Sequence, residues 1–167
     1  MSVEKHKSKA PRSANLAIIT VSDTRTEADD VSGRIIADII TEAGHRVARR
    51  AIVKGEIEEI QKTLRELIED NGIQAVVMSG GTGIGKRDVT LEAIAPFQEK
   101  GVPGFGELFR ALSYDQVGSA ALMSRASAFV TEGKIVFCLP GSEQAVRLAV
   151  EKLIVPELEH MVSEAQR

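Results

Sequence analysis

The sequence predicts an α/β domain three layers deep, a mostly parallel sheet with helices on both faces. Three observations predict it. Strand-like and helix-like segments alternate along the chain. The strand-like segments are continuous apolar runs, as expected of strands covered on both sides. Three of those runs end in small polar residues, the signature of strands that deliver loops to one edge of a sheet. A length of 167 residues suits one domain with a full core. Residues 1–14 (MSVEKHKSKAPRSA) are basic, lack the apolar stretch of a secretory signal, and are expected to form a flexible tail ahead of a single domain over 15–167.

The elements follow in order. LAIITV (Leu16–Val21) is a β-branched run and predicts a buried strand. VSGRIIADIITEAG predicts a helix with Ile35, Ile36, Ile39 and Ile40 on one face and Gly44 as its stop. RVARRAIV predicts a strand of alternating character. EIEEIQKTLRELIEDNG carries Ile57, Ile60, Leu64, Leu67 and Ile68 at helical spacing, and IQAVVMS is the next buried strand. TLEAIAPF and GELFRALS predict helices separated by a Gly/Pro-rich link, KGVPGFG. SAALMSRASAFV fits helix or strand. KIVFCL predicts a further buried strand, and EQAVRLAVEKLI with PELEHMVSEAQ closes the chain as helix.

Composition excludes several classes. Hydrophobic residues make up 43% and charged residues 27%, with a net charge of −3, which argues against nucleic acid as the partner. No apolar run approaches a membrane span. The single cysteine, Cys138, rules out an internal disulfide and sits in an apolar run, so a buried inert thiol is expected.

If the strands LAIITV, AVVM and IVFCL are parallel, the loops after them meet at one edge. That edge then gathers Ser22, Asp23, Ser79, Gly80, Gly81, Thr82, Gly83, Pro140, Gly141 and Ser142. Glycines let backbone N–H groups approach an anion closely. Ser142 also fits the N-cap of the helix EQAVRLAV.

The segment MSGGTGIGKRDVTLEAI (Met78–Ile94) contains G-x-x-x-x-G-K from Gly80 to Lys86. An ATPase loop would continue with Ser or Thr as a Mg²⁺ ligand, but Arg87 stands there and has no lone pair to give. A dinucleotide fingerprint would need a glycine where Lys86 stands. What remains is a glycine cradle, two cations suited to phosphate at Lys86 and Arg87, and a carboxylate at Asp88. Asp88 is a candidate either to hold Mg²⁺ or to cap the helix TLEAIAPF.

SGGTGIGKRDVTLEAI, together with ITVSDTR, DDVSG, EAGH, PGFGELFRALS, SAALMSRA and LPGS in that order, resembles the MoaB/MogA family of molybdenum cofactor biosynthesis proteins, which includes gephyrin domains. AIVK and MSRASAF look closest to the MoaB branch. The resemblance implies a cytoplasmic molybdopterin-binding domain. It also implies transfer of AMP from Mg²⁺-ATP to the terminal phosphate of molybdopterin. It puts Gly80–Gly83 and the catalytic, metal-bearing Asp88 at the centre. Ser113, Ser124 and Arg125 fall toward the pterin, with Ser22, Asp23, Leu139, Pro140, Gly141 and Ser142 around the adenylyl group. It implies homotrimers or hexamers. One position departs. Gly55, in VKGEIEEI, stands where active members carry an acidic residue, with Glu56 one place away. Two readings therefore stand side by side, a molybdopterin adenylyltransferase and a non-catalytic molybdopterin- or precursor-binding protein. A buried Arg125 would need an anion, either ligand phosphate or a structural carboxylate.

Overall fold

The computed structural model describes residues 13–167. The tail expected over residues 1–14 lies outside the described residues except at its end. There Ala14 is buried in the core, and its N–H donates to His45 Nδ1 at 3.2 Å.

The chain folds as β1 (Asn15–Val21), α1 (Val31–Glu42), β2 (Arg46–Val53), α2 (Ile57–Glu69), β3 (Ala75–Ser79), α3 (Thr90–Ile94), β4 (Lys100–Gly101), α4 (Pro103–Val117), β5 (Ser127–Thr131), β6 (Lys134–Leu139), α5 (Glu143–Ala149) and α6 (Val155–Ala165). Short 3₁₀ turns follow α3 and α4, and a π-helical turn, Val150–Ile154, joins α5 to α6. The sheet order is β2-β1-β3-β6-β5-β4. β2, β1, β3 and β6 run parallel, and β5 and β4 are antiparallel additions at one edge.

Strand alternation divides the core in two. Leu16, Ile18, Val77 and Phe137 face α1, α4, α5 and α6, where Ile36, Ile40, Phe109, Val146 and Leu158 are buried. Ala17, Ile19, Met78 and Val136 face α2 and α3, where Ile60, Leu64, Leu67 and Ile94 are buried. This is the expected three-layer arrangement. The paired faces explain why β1, β3 and β6 read as unbroken apolar runs, while β2, at the edge, does not alternate as expected and exposes Arg46, Ala48, Arg49 and Arg50. Cys138 is fully buried, and burial pushes its thiol up to about 12, so it is inert. Among the described residues no helix is long and apolar enough to cross a membrane.

Three details differ from the sequence reading. PGFG is the first turn of α4 rather than a link: Pro103 opens the helix, where its missing N–H costs nothing. Gly106 lets that helix press on β5, since a Cβ there would lie 2.5 Å from the carbonyl of Ala126. SAALMSRASAFV is neither one helix nor one strand but a 3₁₀ turn, Gly118–Met123, followed by β5. Ile57, expected on the buried face of α2, is 41% exposed at its first turn.

Candidate functional site

The four parallel strands end at one edge, and the expected loops meet there. Ser22 continues the pairing of β1 and β2, donating its N–H to Val53 O at 2.8 Å, and its Oγ accepts from Arg25 N–H at 3.1 Å in a local turn. Gly80 N–H donates to Leu139 O at 2.9 Å, which locks the glycine loop to the end of β6. Gly80 has φ +97°, and a Cβ on it would meet the carbonyl of Val21 at 2.3 Å, so only glycine fits where β1, β3 and β6 release their loops. Gly141 lies against Gly80, and its carbonyl accepts from Ser32 Oγ at 2.7 Å, which ties the Pro140–Ser142 turn to the first turn of α1. Ser142 caps α5 by accepting from Ala145 N–H at 3.2 Å, as expected of an N-cap serine.

The glycine loop is anchored by two residues. Thr90, fully buried, donates its hydroxyl to Gly80 O at 2.7 Å and its N–H to Gly81 O at 3.0 Å. Arg125 supplies the second anchor. Its N–H donates to Thr82 O at 3.0 Å, its Nε to Gly83 O at 2.8 Å, and one Nη to Asp88 O at 2.9 Å; both Nη atoms reach the Glu92 carboxylate. The guanidinium expected toward the pterin is thus committed to the loop and to Glu92, the structural carboxylate that was the alternative. Glu92 in turn is held below the ordinary carboxylate range by Arg125.

Above this framework, the N–H groups of Gly81, Thr82, Gly83 and Ile84 have no protein acceptor among the described residues. Ser79 Oγ at the root of the loop is fully buried and has no hydrogen-bond partner among the described residues. Lys86 is exposed and makes no ion pair among the described residues. Successive free N–H groups beside a cation form a ready anion site. The helix that follows, α3, has five residues, so its dipole adds little.

Asp88 does not cap α3, whose N-cap is Val89. Its Oδ2 accepts from Gly85 N–H at 2.8 Å and closes the turn, while Oδ1 meets no protein donor among the described residues. Side chains at Gly83 or Gly85 would collide with that carboxylate, with Cβ atoms 2.8 and 2.9 Å from Oδ2.

Arg87 is not free for phosphate in this arrangement. Its Nε and one Nη donate to the two oxygens of Asp23 at 3.1 and 2.9 Å, and the other Nη donates to Glu56 Oε1 at 2.9 Å. Gly55 N–H also donates to Asp23 Oδ1 at 3.0 Å. Asp23 is consequently held below the ordinary aspartate value, by Arg87 first and the Gly55 N–H second. Ser113 is buried in α4, and Ser124 ends the 3₁₀ turn, its Oγ accepting from Ala126 N–H at 3.3 Å. Among the described residues no group of three or more His, Cys, Asp or Glu is placed to hold a metal ion. Mg²⁺ is ordinarily held by one or two carboxylates together with substrate phosphates, so Asp88 could take part in holding it only alongside a phosphate ligand.

Sequence reasoning missed Thr90, Ser32, Glu92 and the buried Asp30. Asp30 caps α1, accepting from Gly33 N–H at 3.0 Å, and also accepts from Thr20 Oγ1 at 3.0 Å and Arg50 at 3.1 Å. The aspartate two residues ahead of Ser32 in DDVSG was the available signal, since Asp before a helical run marks a cap.

With this geometry in hand, the chain compares closely with known proteins. Residues 17–160 match a family described as a probable molybdopterin binding domain. The chain is 49% identical over 168 residues to molybdenum cofactor biosynthesis protein B of Bacillus subtilis (strain 168), covering 100% of this chain and 99% of that one. It is 44% identical over 160 residues to the protein of that name from Staphylococcus epidermidis, covering 93% and 91%. A crystal structure of molybdenum cofactor biosynthesis protein B superposes with a TM-score of 0.91 at 46% identity, over 95% of this chain and 99% of that one. The tungsten cofactor synthesizing protein MoaB of Pyrococcus furiosus superposes with a TM-score of 0.85 at 38% identity, over 95% and 100%. Matched along its length in sequence and in fold, the chain belongs to the MoaB/MogA family of molybdenum cofactor biosynthesis proteins, with a molybdopterin-binding domain and its likeness strongest to the MoaB members.

Proposed function

We propose that this protein acts in the cytoplasm by binding molybdopterin at the carboxyl edge of its parallel strands, with the terminal phosphate on the glycine loop. One observation carries the reading. Among the described residues, four consecutive N–H groups, Gly81 to Ile84, have no protein acceptor, and Lys86, just after them in the chain, makes no ion pair. A phosphate accepts from such groups and is neutralised by the lysine. Ser113 and Ser124 then belong to the pterin side, and Ser22, Asp23 and the Leu139–Ser142 turn to the far side of the phosphate.

A second reading, adenylyl transfer from Mg²⁺-ATP to the bound phosphate, is favoured by Asp88. Its Oδ1 is the one carboxylate oxygen of the glycine-loop segment left without a protein donor. Against it stands Gly55, which supplies no second carboxylate, while the neighbouring Asp23 and Glu56 are both engaged by Arg87. Magnesium in this reading arrives with ATP.

Self-association is part of the proposal. Leu108, Tyr114 and Val117 on α4, with Leu122 and Met123 beyond it, expose a run of large apolar side chains, and Leu122 is 83% exposed. A trimer or hexamer would cover it, and equilibrium sedimentation would show this; a monomer at micromolar concentration would contradict it.

The test of function is to titrate the purified protein with molybdopterin, then add Mg²⁺-ATP and resolve the products. Saturable binding supports the first reading, and formation of molybdopterin-AMP adds the second. No binding refutes both.

A further inference from the structure

Arg87 lies in the most suggestive stretch of the sequence, between the free cation Lys86 and Asp88, yet its side chain is fully engaged elsewhere. All three guanidinium nitrogens donate to carboxylates, two of them as a fork onto Asp23 and the third onto Glu56. The turns that follow β1, β2 and β3 each contribute one member of this triad. The main chain reinforces it: Gly55 N–H donates to the same Asp23 oxygen that Arg87 grips. We propose that Arg87 is a positioning residue that holds the Ser22–Asp23 turn against the Lys54–Glu56 turn, and that it does not leave these partners when an anion binds. The proposal rests on reading the glycine loop as a phosphate site, whose rim these two turns form.

Three features argue for a fixed strut over a cation waiting for phosphate. The planar fork matches a carboxylate at two points, a geometry that a point charge does not reproduce. One guanidinium between two carboxylates leaves the triad with a net charge of −1, the wrong sign to attract a phosphate. And the turn is built around the contact. A Cβ at Gly55 would lie 3.3 Å from the main-chain oxygen of Arg87 and 3.5 Å from Asp23 Oδ1, so the turns pack closely around this position. The position where the family resemblance expects an acid is therefore a packing position in this chain. Lys86, which has no carboxylate partner among the described residues, is left to meet the anion.

Inorganic pyrophosphate serves as the probe, with calorimetry for affinity and hydrogen–deuterium exchange for the buried Gly55 amide. A strut predicts that saturating pyrophosphate leaves the Gly55 amide as protected as in the free protein, or more so. It predicts that Arg87→Ala and Arg87→Lys both speed its exchange ten-fold or more and weaken pyrophosphate binding. It also predicts that Glu56→Gln binds pyrophosphate no tighter than wild type, and that Lys86→Ala loses affinity with Gly55 exchange unchanged. Loss of Gly55 protection on binding would overturn the proposal, because it means that Arg87 is released to the anion. Several-fold tighter binding by Glu56→Gln would overturn it for the same reason. So would unchanged Gly55 exchange in a folded Arg87→Ala protein. A wild type that does not bind pyrophosphate would end the phosphate reading itself, and the exchange of the Arg87 variants would still decide the strut.

Discussion

Thr90→Val isolates what the glycine loop owes to its floor. The substitution keeps the shape of a fully buried side chain and removes one hydroxyl. That hydroxyl donates to Gly80 O at 2.7 Å, and Gly80 is itself buried where β1, β3 and β6 release their loops. Valine leaves the Gly80 carbonyl without its donor, and an unsatisfied buried acceptor costs about 1–3 kcal/mol. A second cost arises at Gly81. Its backbone, at φ +68°, packs so closely that a Cβ would lie 2.3 Å from Thr90 Oγ1, and a methyl in place of that oxygen is larger. The midpoint of the first cost, about 2 kcal/mol, corresponds to a fall in Tm of about 4–8 °C for a chain of this size. Thr90→Ser retains the donor and should recover most of the loss. The assay is thermal unfolding followed by circular dichroism, with molybdopterin titration at a temperature where the variants are folded. The loop should bind its phosphate less tightly in Thr90→Val, because its free N–H groups lose their fixed aim. A Tm within about 1 °C of wild type, well inside the shift that an unsatisfied acceptor produces, would refute the argument that this bond anchors the loop.

Other predictions follow from the same geometry. Asp88→Asn retains an oxygen to accept from Gly85 N–H, so the turn and molybdopterin binding should persist, while any AMP transfer falls by roughly 10²–10³, the scale of a lost electrostatic stabiliser; transfer at the wild-type rate would reduce Asp88 to a turn residue. Gly55→Asp crowds a third carboxylate against Asp23 and Glu56, and their like charges loosen the turns that Arg87 holds, so AMP transfer at matched Mg²⁺-ATP should not exceed wild type; a ten-fold gain would contradict this. The Asp23 carboxyl is depressed by Arg87 and the Gly55 N–H, so its contribution is complete above the ordinary value of 3.8 and is lost as pH falls through the lower folded-state value. The Asp23–Arg87 contact should accordingly persist from pH 8 down past pH 5, and a carbon NMR titration of Asp23 should have its midpoint below 3.8 in wild type and higher in Arg87→Ala.

The buried strands were legible because both faces of β1, β3 and β6 are covered, which leaves an apolar residue at nearly every position. The first turn of α4 was not, because PGFG carries turn residues, and Gly106 sits where the helix packs against the Ala126 main chain rather than where helix propensity would put it. β4 has two residues, Lys100 and Gly101, and no apolar signal at all. At the site, the glycine cradle and the Ser142 cap could be read directly, since each depends on neighbours in sequence. Arg87 and Arg125 could not. Their partners, Asp23 and Glu92, lie 64 and 33 residues away and are brought in by the convergence of parallel strand ends. A basic residue in a glycine-rich loop looks alike in sequence whether it meets a phosphate or a carboxylate of its own chain.

The proposed site for molybdopterin's terminal phosphate consists of the Gly81–Ile84 N–H groups and Lys86, which have no protein partners among the described residues. Molybdopterin binding to wild type and to Lys86→Ala, measured by fluorescence titration at two salt concentrations, tests it most directly. The account predicts saturable binding to wild type, about ten-fold or more weaker binding to Lys86→Ala at low salt, and a smaller difference at high salt, as expected of a lost charge-assisted contact that salt screens. Equal affinities at both salt concentrations, with both proteins folded, would contradict it.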